Sequence, residues 1–104
     1  VQYRVLQQGA GEQPRTDDTV RVHYQGSLLN GEVFDSSLTR GQPAEFPLNA
    51  VIPGFREALS RMRVGDRWQV FIPSAMAYGE KGAGADIGPN ETLVFDIELL
   101  DMVR

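Results

Sequence analysis

Strict two-residue alternation of apolar and polar side chains recurs along this chain and limits its fold more than any other feature. Val20, Val22 and Tyr24 fall on one face of an extended segment while Arg21, His23 and Gln25 fall on the other, as in an antiparallel strand buried on one side. Leu93, Phe95, Ile97 and Leu99 alternate with Val94, Asp96 and Glu98, and Trp68, Val70 and Ile72 repeat the pattern. Tyr3 and Val5 predict a fourth strand at the start, and shorter extended pieces are expected at 33–36 and 44–48. Helical period is confined to PGFREALSRM (53–62), where Phe55, Ala58, Leu59 and Met62 stand at i, i+3, i+4 and i+7. Pro53 suits the helix start, Arg61 and Arg63 its C-terminal end, and Gly65 the residue beyond. One amphipathic helix needs one apolar face to lie on. The pattern therefore predicts an α+β domain in which a twisted antiparallel sheet wraps its apolar face around a single helix. LNGE (29–32) reads as a tight hairpin with Asn30-Gly31 at its tip, and GAGEQPRTDD (9–18) as a polar turn region.

A chain of 104 residues, 41% of them hydrophobic, supports one core, so residues 1–104 read as a single domain. Ten Lys plus Arg against fourteen Asp plus Glu leave a net charge of −4, which argues against nucleic acid as a partner. With no cysteine and one histidine, His23, the chain cannot form a disulfide, a thiolate nucleophile, a zinc finger or a multi-histidine metal site. No metal and no cofactor is expected. No apolar run reaches the roughly 18 residues of a spanning helix, so no membrane contact through this domain is expected. The chain begins at Val1 and enters VQYRVL directly; it reads as a piece of a longer protein.

Between two strands lies PSAMAYGEKGAGADIGPNE (73–91), long enough to demand a function or to be disordered. Its glycines superficially suggest a phosphate cradle. However, Gly82, Gly84 and Gly88 do not give GxGxxG, no GK[ST] occurs, and the segment runs into a strand instead of opening a helix. Met76 and Tyr78 on one side and Ile87 on the other are expected to tie its ends, with Gly79 to Asp86 as a mobile tip. His23, on the polar face of its strand, reads as a solvated histidine. No GxSxG surrounds Ser27, Ser36, Ser37, Ser60 or Ser74, so covalent hydrolysis is not indicated. In VFDSS (33–37) Asp35 has two readings: a turn cap together with the serines, which the pattern alone favours, or a functional carboxylate. The aromatics Tyr24, Phe34, Phe46, Phe55, Trp68, Tyr78 and Phe95 read as core. Phe34 and Tyr78 fit that reading least, because an aromatic in or beside a loop more often faces a cavity or a partner.

VHYQGSLLNGEVFDSS, VIPGF, AYG and IGPNETLVFDIELL, in this order and at these spacings, resemble the FKBP family of peptidyl-prolyl cis/trans isomerases over essentially the whole chain. QYRVLQQGAG and IGPNETL are most similar to bacterial members of the macrophage infectivity potentiator type. The resemblance implies a strongly bent antiparallel sheet of five to six strands around one short helix. It also implies a proline pocket made by Tyr24, Phe34, Asp35, Phe46, Val51, Ile52, Phe55, Tyr78, Ile87 and Phe95, with Trp68 left in the core. The implied partners are proline-containing polypeptides, with macrolides of the immunosuppressant type as inhibitors. The implied setting is periplasmic, outer-membrane or secreted in a bacterium, with this domain following an N-terminal segment that dimerises the full-length protein. In that context Asp35 and Tyr78 carry catalytic roles: the Asp35 carboxylate acts electrostatically, while Tyr78 hydroxyl and Ile52 N–H anchor substrate carbonyls. Three positions depart from common family choices: Phe55 where many members have Trp, Ala83 where some have His, and Ala44 at a second often aromatic position. Turnover is expected to survive these changes and macrolide affinity to fall. A different class of function, a proline-segment-binding or chaperone module with negligible turnover, is the alternative. Intact Tyr24, Phe34, Asp35, Ile52 and Tyr78 favour the enzyme.

Overall fold

In the computed structural model, which describes residues 1–103, each alternating segment becomes a strand. These are β1 (Gln2–Gln7), β2 (Thr19–Leu28), β3 (Val33–Ser36), β4 (Ala44–Pro47), β5 (Arg67–Ile72) and β6 (Leu93–Val103). The strands form one antiparallel sheet in the order β1-β5-β6-β2-β3, with β4 following β3 along the same edge of β2. Two helices interrupt them, α1 (Ser37–Arg40) and α2 (Pro53–Arg61). The expected α+β arrangement is thus the one observed, with α1 as an addition that no apolar period announced.

Burial follows the alternation. Val20, Val22, Tyr24 and Leu28 of β2, Leu93, Phe95, Ile97 and Leu99 of β6, and Trp68, Val70 and Ile72 of β5 are all buried on one face, together with Phe55, Ala58, Leu59 and Met62 from α2 and its end. Cross-strand neighbours on that face, such as Val70 with Phe95 and Trp68 with Ile97, supply the side-chain pairing that stabilises a sheet. Registers slip twice along β2, between Arg21 and Val22 against β6 and between Gly26 and Ser27 against β3. Each slip inserts an extra residue into the partner strand, which bends the sheet and increases its local twist.

β1 pairs with β5 at the sheet edge, and all six of its residues are exposed. Tyr3 and Val5 are therefore not core, in contrast to what their alternation suggests. The Tyr3 ring instead lies flat on buried Trp68, centroids 4.2 Å apart. The polar turn region before β2 is held by reciprocal backbone bonds, Gly11 N–H to Val64 C=O and Val64 N–H to Glu12 C=O, and by Asp66, whose carboxylate accepts from Gly9 and Arg63 N–H groups.

α2 begins at Pro53 without a side-chain cap, where the missing N–H of proline costs nothing. Met62, not Gly65, closes it, its N–H reaching Ala58 and Leu59 carbonyls. Gly65, at φ 97°, serves the following turn into β5. The helix start rests directly on β5: a Cβ at Gly54 would lie 2.3 Å from Ile72 Cγ2. Gly54→Ala is therefore expected to destabilise the domain by about 1–3 kcal/mol, the usual cost of overpacking a filled core, read as a lower urea midpoint at unchanged m-value.

Candidate active site

On the concave side, beside α2, a cavity of about 340 Å³ is lined by Tyr24, Phe34, Asp35, Phe46, Ala50, Val51, Ile52, Phe55, Tyr78 and Phe95. The lining is drawn from along the whole chain, with Phe34 and Asp35 from β3. Tyr24 and Phe95 come from the core faces of β2 and β6, Phe46 from β4, and Phe55 from the first turn of α2. Ala50, Val51 and Ile52 come from the segment between β4 and α2, and Tyr78 from the loop after β5. The rings touch one another edge-on or tilted: Phe46 meets Phe55 at 5.8 Å, Tyr24 meets Phe46 at 5.6 Å, and Phe34 meets Phe95 at 5.7 Å and 89°. Phe95 also stacks on Phe55 at 5.1 Å. Such contacts fix ring orientations beyond what area burial alone would do.

Phe34 and Asp35 are consecutive residues of an extended strand and would normally point to opposite faces. Here Gly26 pairs with Asp35 and Ser27 with Val33, so Phe34 is an extra, unpaired residue. A bulge of this kind re-aims side chains, and it delivers both Phe34 and Asp35 to the cavity wall.

Asp35 has every carboxylate oxygen occupied. Its Oδ2 accepts a hydrogen bond from the Tyr24 hydroxyl. Its Oδ1 accepts from Arg40 Nη1 at 2.6 Å and from Ser36 N–H at 2.9 Å. Arg40 Nη2 also donates to the Tyr24 hydroxyl at 3.1 Å, and the guanidinium lies 5.7 Å from the Tyr24 ring centroid. Partial burial pushes the Asp35 carboxyl up, but the hydrogen bonds from Tyr24 and Arg40, with the Arg40 charge, outweigh it and hold the group below its ordinary 3.8. The Tyr24 hydroxyl is raised, first by burial and then by its bond to Asp35. At neutral pH the wall is thus a carboxylate, a phenol and a guanidinium in fixed orientation.

The turn-capping reading of VFDSS holds in part. Ser36 is the N-cap of α1, accepting from Thr39 N–H, and Gly41 closes the helix in the left-handed region. Buried Ser37 accepts from Tyr24 N–H at 2.8 Å and donates to Tyr24 C=O at 3.2 Å. Its hydroxyl also contacts His23 Nδ1 at 3.0 Å, so His23 is partly buried against α1 and not simply solvated. The serines therefore fasten α1 to β2, and α1 carries Arg40 to Asp35.

Nine of the ten residues implied by the family pattern line this cavity; Ile87 does not. It belongs to the buried core, at 6% exposure, and its backbone exchanges two hydrogen bonds with Ala83. Within Gly79–Asp86, the expected tip, the chain folds back so that Ala83 pairs with Ile87. Gly82, at φ 66°, passes so close to Ile87 C=O that a Cβ would sit 2.2 Å away. Ala44 and Ala83 pack against the core and do not line the cavity. Ala50 and Arg40 were not foreseen. DSSLTR could have disclosed Arg40, since a serine N-cap followed by one helical turn returns the arginine to the carboxylate before the cap. Tyr78, 41% exposed, and Ile52, whose carbonyl accepts from Arg56 N–H, bring a hydroxyl and a backbone N–H to the cavity lining. No cluster of metal-ligating side chains occurs among the described residues.

Residues 10–100 match the family described as FKBP-type peptidyl-prolyl cis-trans isomerase. The chain belongs to this family. It is 57% identical over 103 residues to the FKBP-type 22 kDa peptidyl-prolyl cis-trans isomerase of Escherichia coli, covering 99% of this chain and 50% of that protein. It is 47% identical over 104 residues to the outer membrane protein MIP of Legionella longbeachae, covering 100% of this chain and 45% of that one. The crystal structure of FkpA from Escherichia coli superposes with a TM-score of 0.92 at 48% identity, over 96% of this chain and 46% of that one. The chain thus spans about half the length of these bacterial FKBP-type relatives. No described helix is long and apolar enough to cross a membrane.

The Asp35 carboxyl yields a signed prediction for this FKBP-type domain. Because its folded value lies below 3.8, its contribution to stability is fully present above the unfolded value and is lost as pH falls through the lower folded one. Arg40→Met removes one hydrogen bond to the carboxylate and the positive charge beside it, and is expected to move the carboxyl titration to higher pH. Carbon-detected NMR titration of Asp35 in both proteins checks this.

Proposed function

We propose that this domain is a peptidyl-prolyl cis-trans isomerase that speeds rotation about Xaa-Pro bonds in polypeptides, without a covalent intermediate or cofactor. The observation that carries the reading is the cavity itself: six aromatic residues lining one space, with a single carboxylate, Asp35, at its wall. A proline ring is the apolar body such a space accepts, and the bond preceding it rotates unaided over ~18–20 kcal/mol. As the amide twists, resonance is lost and its carbonyl oxygen gives up negative charge. A dry apolar cavity therefore binds the twisted form better than the planar one. An acceleration of about 10³–10⁴-fold needs only about 4–5.5 kcal/mol of such preference.

In this reading Phe34, Phe46, Phe55 and Phe95 hold the ring, and Val51 fills the rim. Ile52 N–H and Tyr78 hydroxyl anchor the flanking carbonyls. Asp35 has no proton to remove from a rotating amide. Its role is electrostatic, exerted with Tyr24 and Arg40 as a fixed polar wall that needs no reorganisation during rotation. We further propose a bacterial envelope setting, periplasmic, outer-membrane or secreted, for which the name of the Legionella longbeachae relative, outer membrane protein MIP, speaks, and a full-length protein in which this domain works beside a dimerising segment as a folding helper. Macrolides that mimic a prolyl ring fit the same cavity.

A protease-coupled assay on an Xaa-Pro peptide tests the activity. Catalysis above the spontaneous rate is expected; a rate equal to it, with peptide still bound, would leave only the binding-module reading. Asp35→Ala is expected to lower kcat/KM at least tenfold while Tm stays within about 4 °C, because a half-exposed ion pair contributes little to stability. Phe55→Trp is expected to tighten macrolide binding, by supplying a larger floor and an indole N–H, with turnover little changed; calorimetry with a macrolide checks it.

A further inference from the structure

Gly26 occupies a core-facing position of β2, in line with Val20, Val22, Tyr24 and Leu28. The alternation calls there for a large apolar side chain. Its backbone is not in the left-handed region that favours glycine, so conformation does not demand glycine. Space does. A Cβ at Gly26 would lie 2.6 Å from Phe34 Cζ, 2.9 Å from Phe34 Cε1 and 2.8 Å from Phe95 Cε1. Gly26 is also the cross-strand partner of both Asp35 on β3 and Phe95 on β6, directly beside the bulge that frees Phe34. The notch left by the missing side chain receives the Phe34 ring edge and lets it meet Phe95 at right angles.

We propose that Gly26 is a positioning residue for the proline cavity: by leaving the β2 strand bare, it seats Phe34 against the sheet and keeps the cavity wide enough for a prolyl ring. This rests on the isomerase reading only for its functional consequence. Carbon atoms pack at about 3.5–4.0 Å, so any side chain at position 26 drives the Phe34 tip outward by about 1 Å. No alternative seat lies deeper, because Phe95 already fills the other side of the notch. Displacement of a wall by about 1 Å can cost on the order of 100-fold in rate. Gly26 would thereby fix cavity width and the size of ring it admits, although it touches no substrate itself.

The test compares wild type, Gly26→Ala, Phe34→Leu and the double variant in proline-peptide turnover, peptide binding, and aromatic NMR shifts of Phe34 and Phe95. Gly26→Ala is expected to reduce kcat/KM about 10- to 100-fold, mainly through KM, and to move the Phe34 and Phe95 ring resonances. In the Phe34→Leu background, which removes one of the two rings that the methyl strikes, the same substitution is expected to cost at least about threefold less than it does in the wild-type background. Equal losses in both backgrounds, or wild-type ring shifts in Gly26→Ala, would overturn the proposal. If Gly26→Ala does not fold, a folded double variant supports the assignment and an unfolded one refutes it. Should wild type show no turnover, the isomerase reading fails on its own, while the ring shifts still decide what Gly26 does.

Discussion

One helix is too short to cover the face it packs on. α2 has nine residues, about 14 Å of helix, whereas β6 alone has eleven residues and runs about 37 Å. Buried apolar surface beyond the reach of the helix must be closed by side chains, and the chain places large rings there. Tyr24, Phe46, Phe55 and Phe95 lean on one another and complete the core, yet rings meeting edge-on leave a space open to one side. The cavity is the part of the core that the helix does not fill.

Within that space one side chain is held more fully than the rest. The Tyr24 ring packs against Phe46, Phe55 and Phe95, its backbone N–H and C=O both engage Ser37, and its hydroxyl sits between Asp35 and Arg40. The polar wall is consequently saturated from within. A carboxylate so engaged is poorly suited to proton transfer and well suited to presenting a constant field, which is what rotation about an amide can use. Apolar floor and fixed polar wall are thus two outcomes of the same packing around β2.

Sheet and helix were readable because their signals are local: alternation marked four of the strands, two short extended pieces marked the others, and one apolar stripe marked α2. Most of the site was readable through the spacing of motifs that resemble a family. What stayed hidden depends on pairing between distant segments. That Phe34 and Asp35 share a face requires the bulge opposite Gly26. That Arg40 reaches Asp35 requires α1, a single turn too short for any period to show. Ile87 looked like a pocket residue but is drawn into the core by its pairing with Ala83, and Tyr3 and Val5 alternate like core residues yet sit on an edge strand that nothing covers. His23 looked solvated because its partner, Ser37, belongs to that same unannounced helix.

In the proposed reaction the cavity accelerates rotation without any proton being transferred. Exchange NMR on an Xaa-Pro peptide with catalytic amounts of the domain, run in H₂O and in D₂O, tests it most directly. Accelerated cis-trans exchange with a solvent isotope effect close to one is expected. Exchange at the spontaneous rate, or an isotope effect of about two or more, would contradict it.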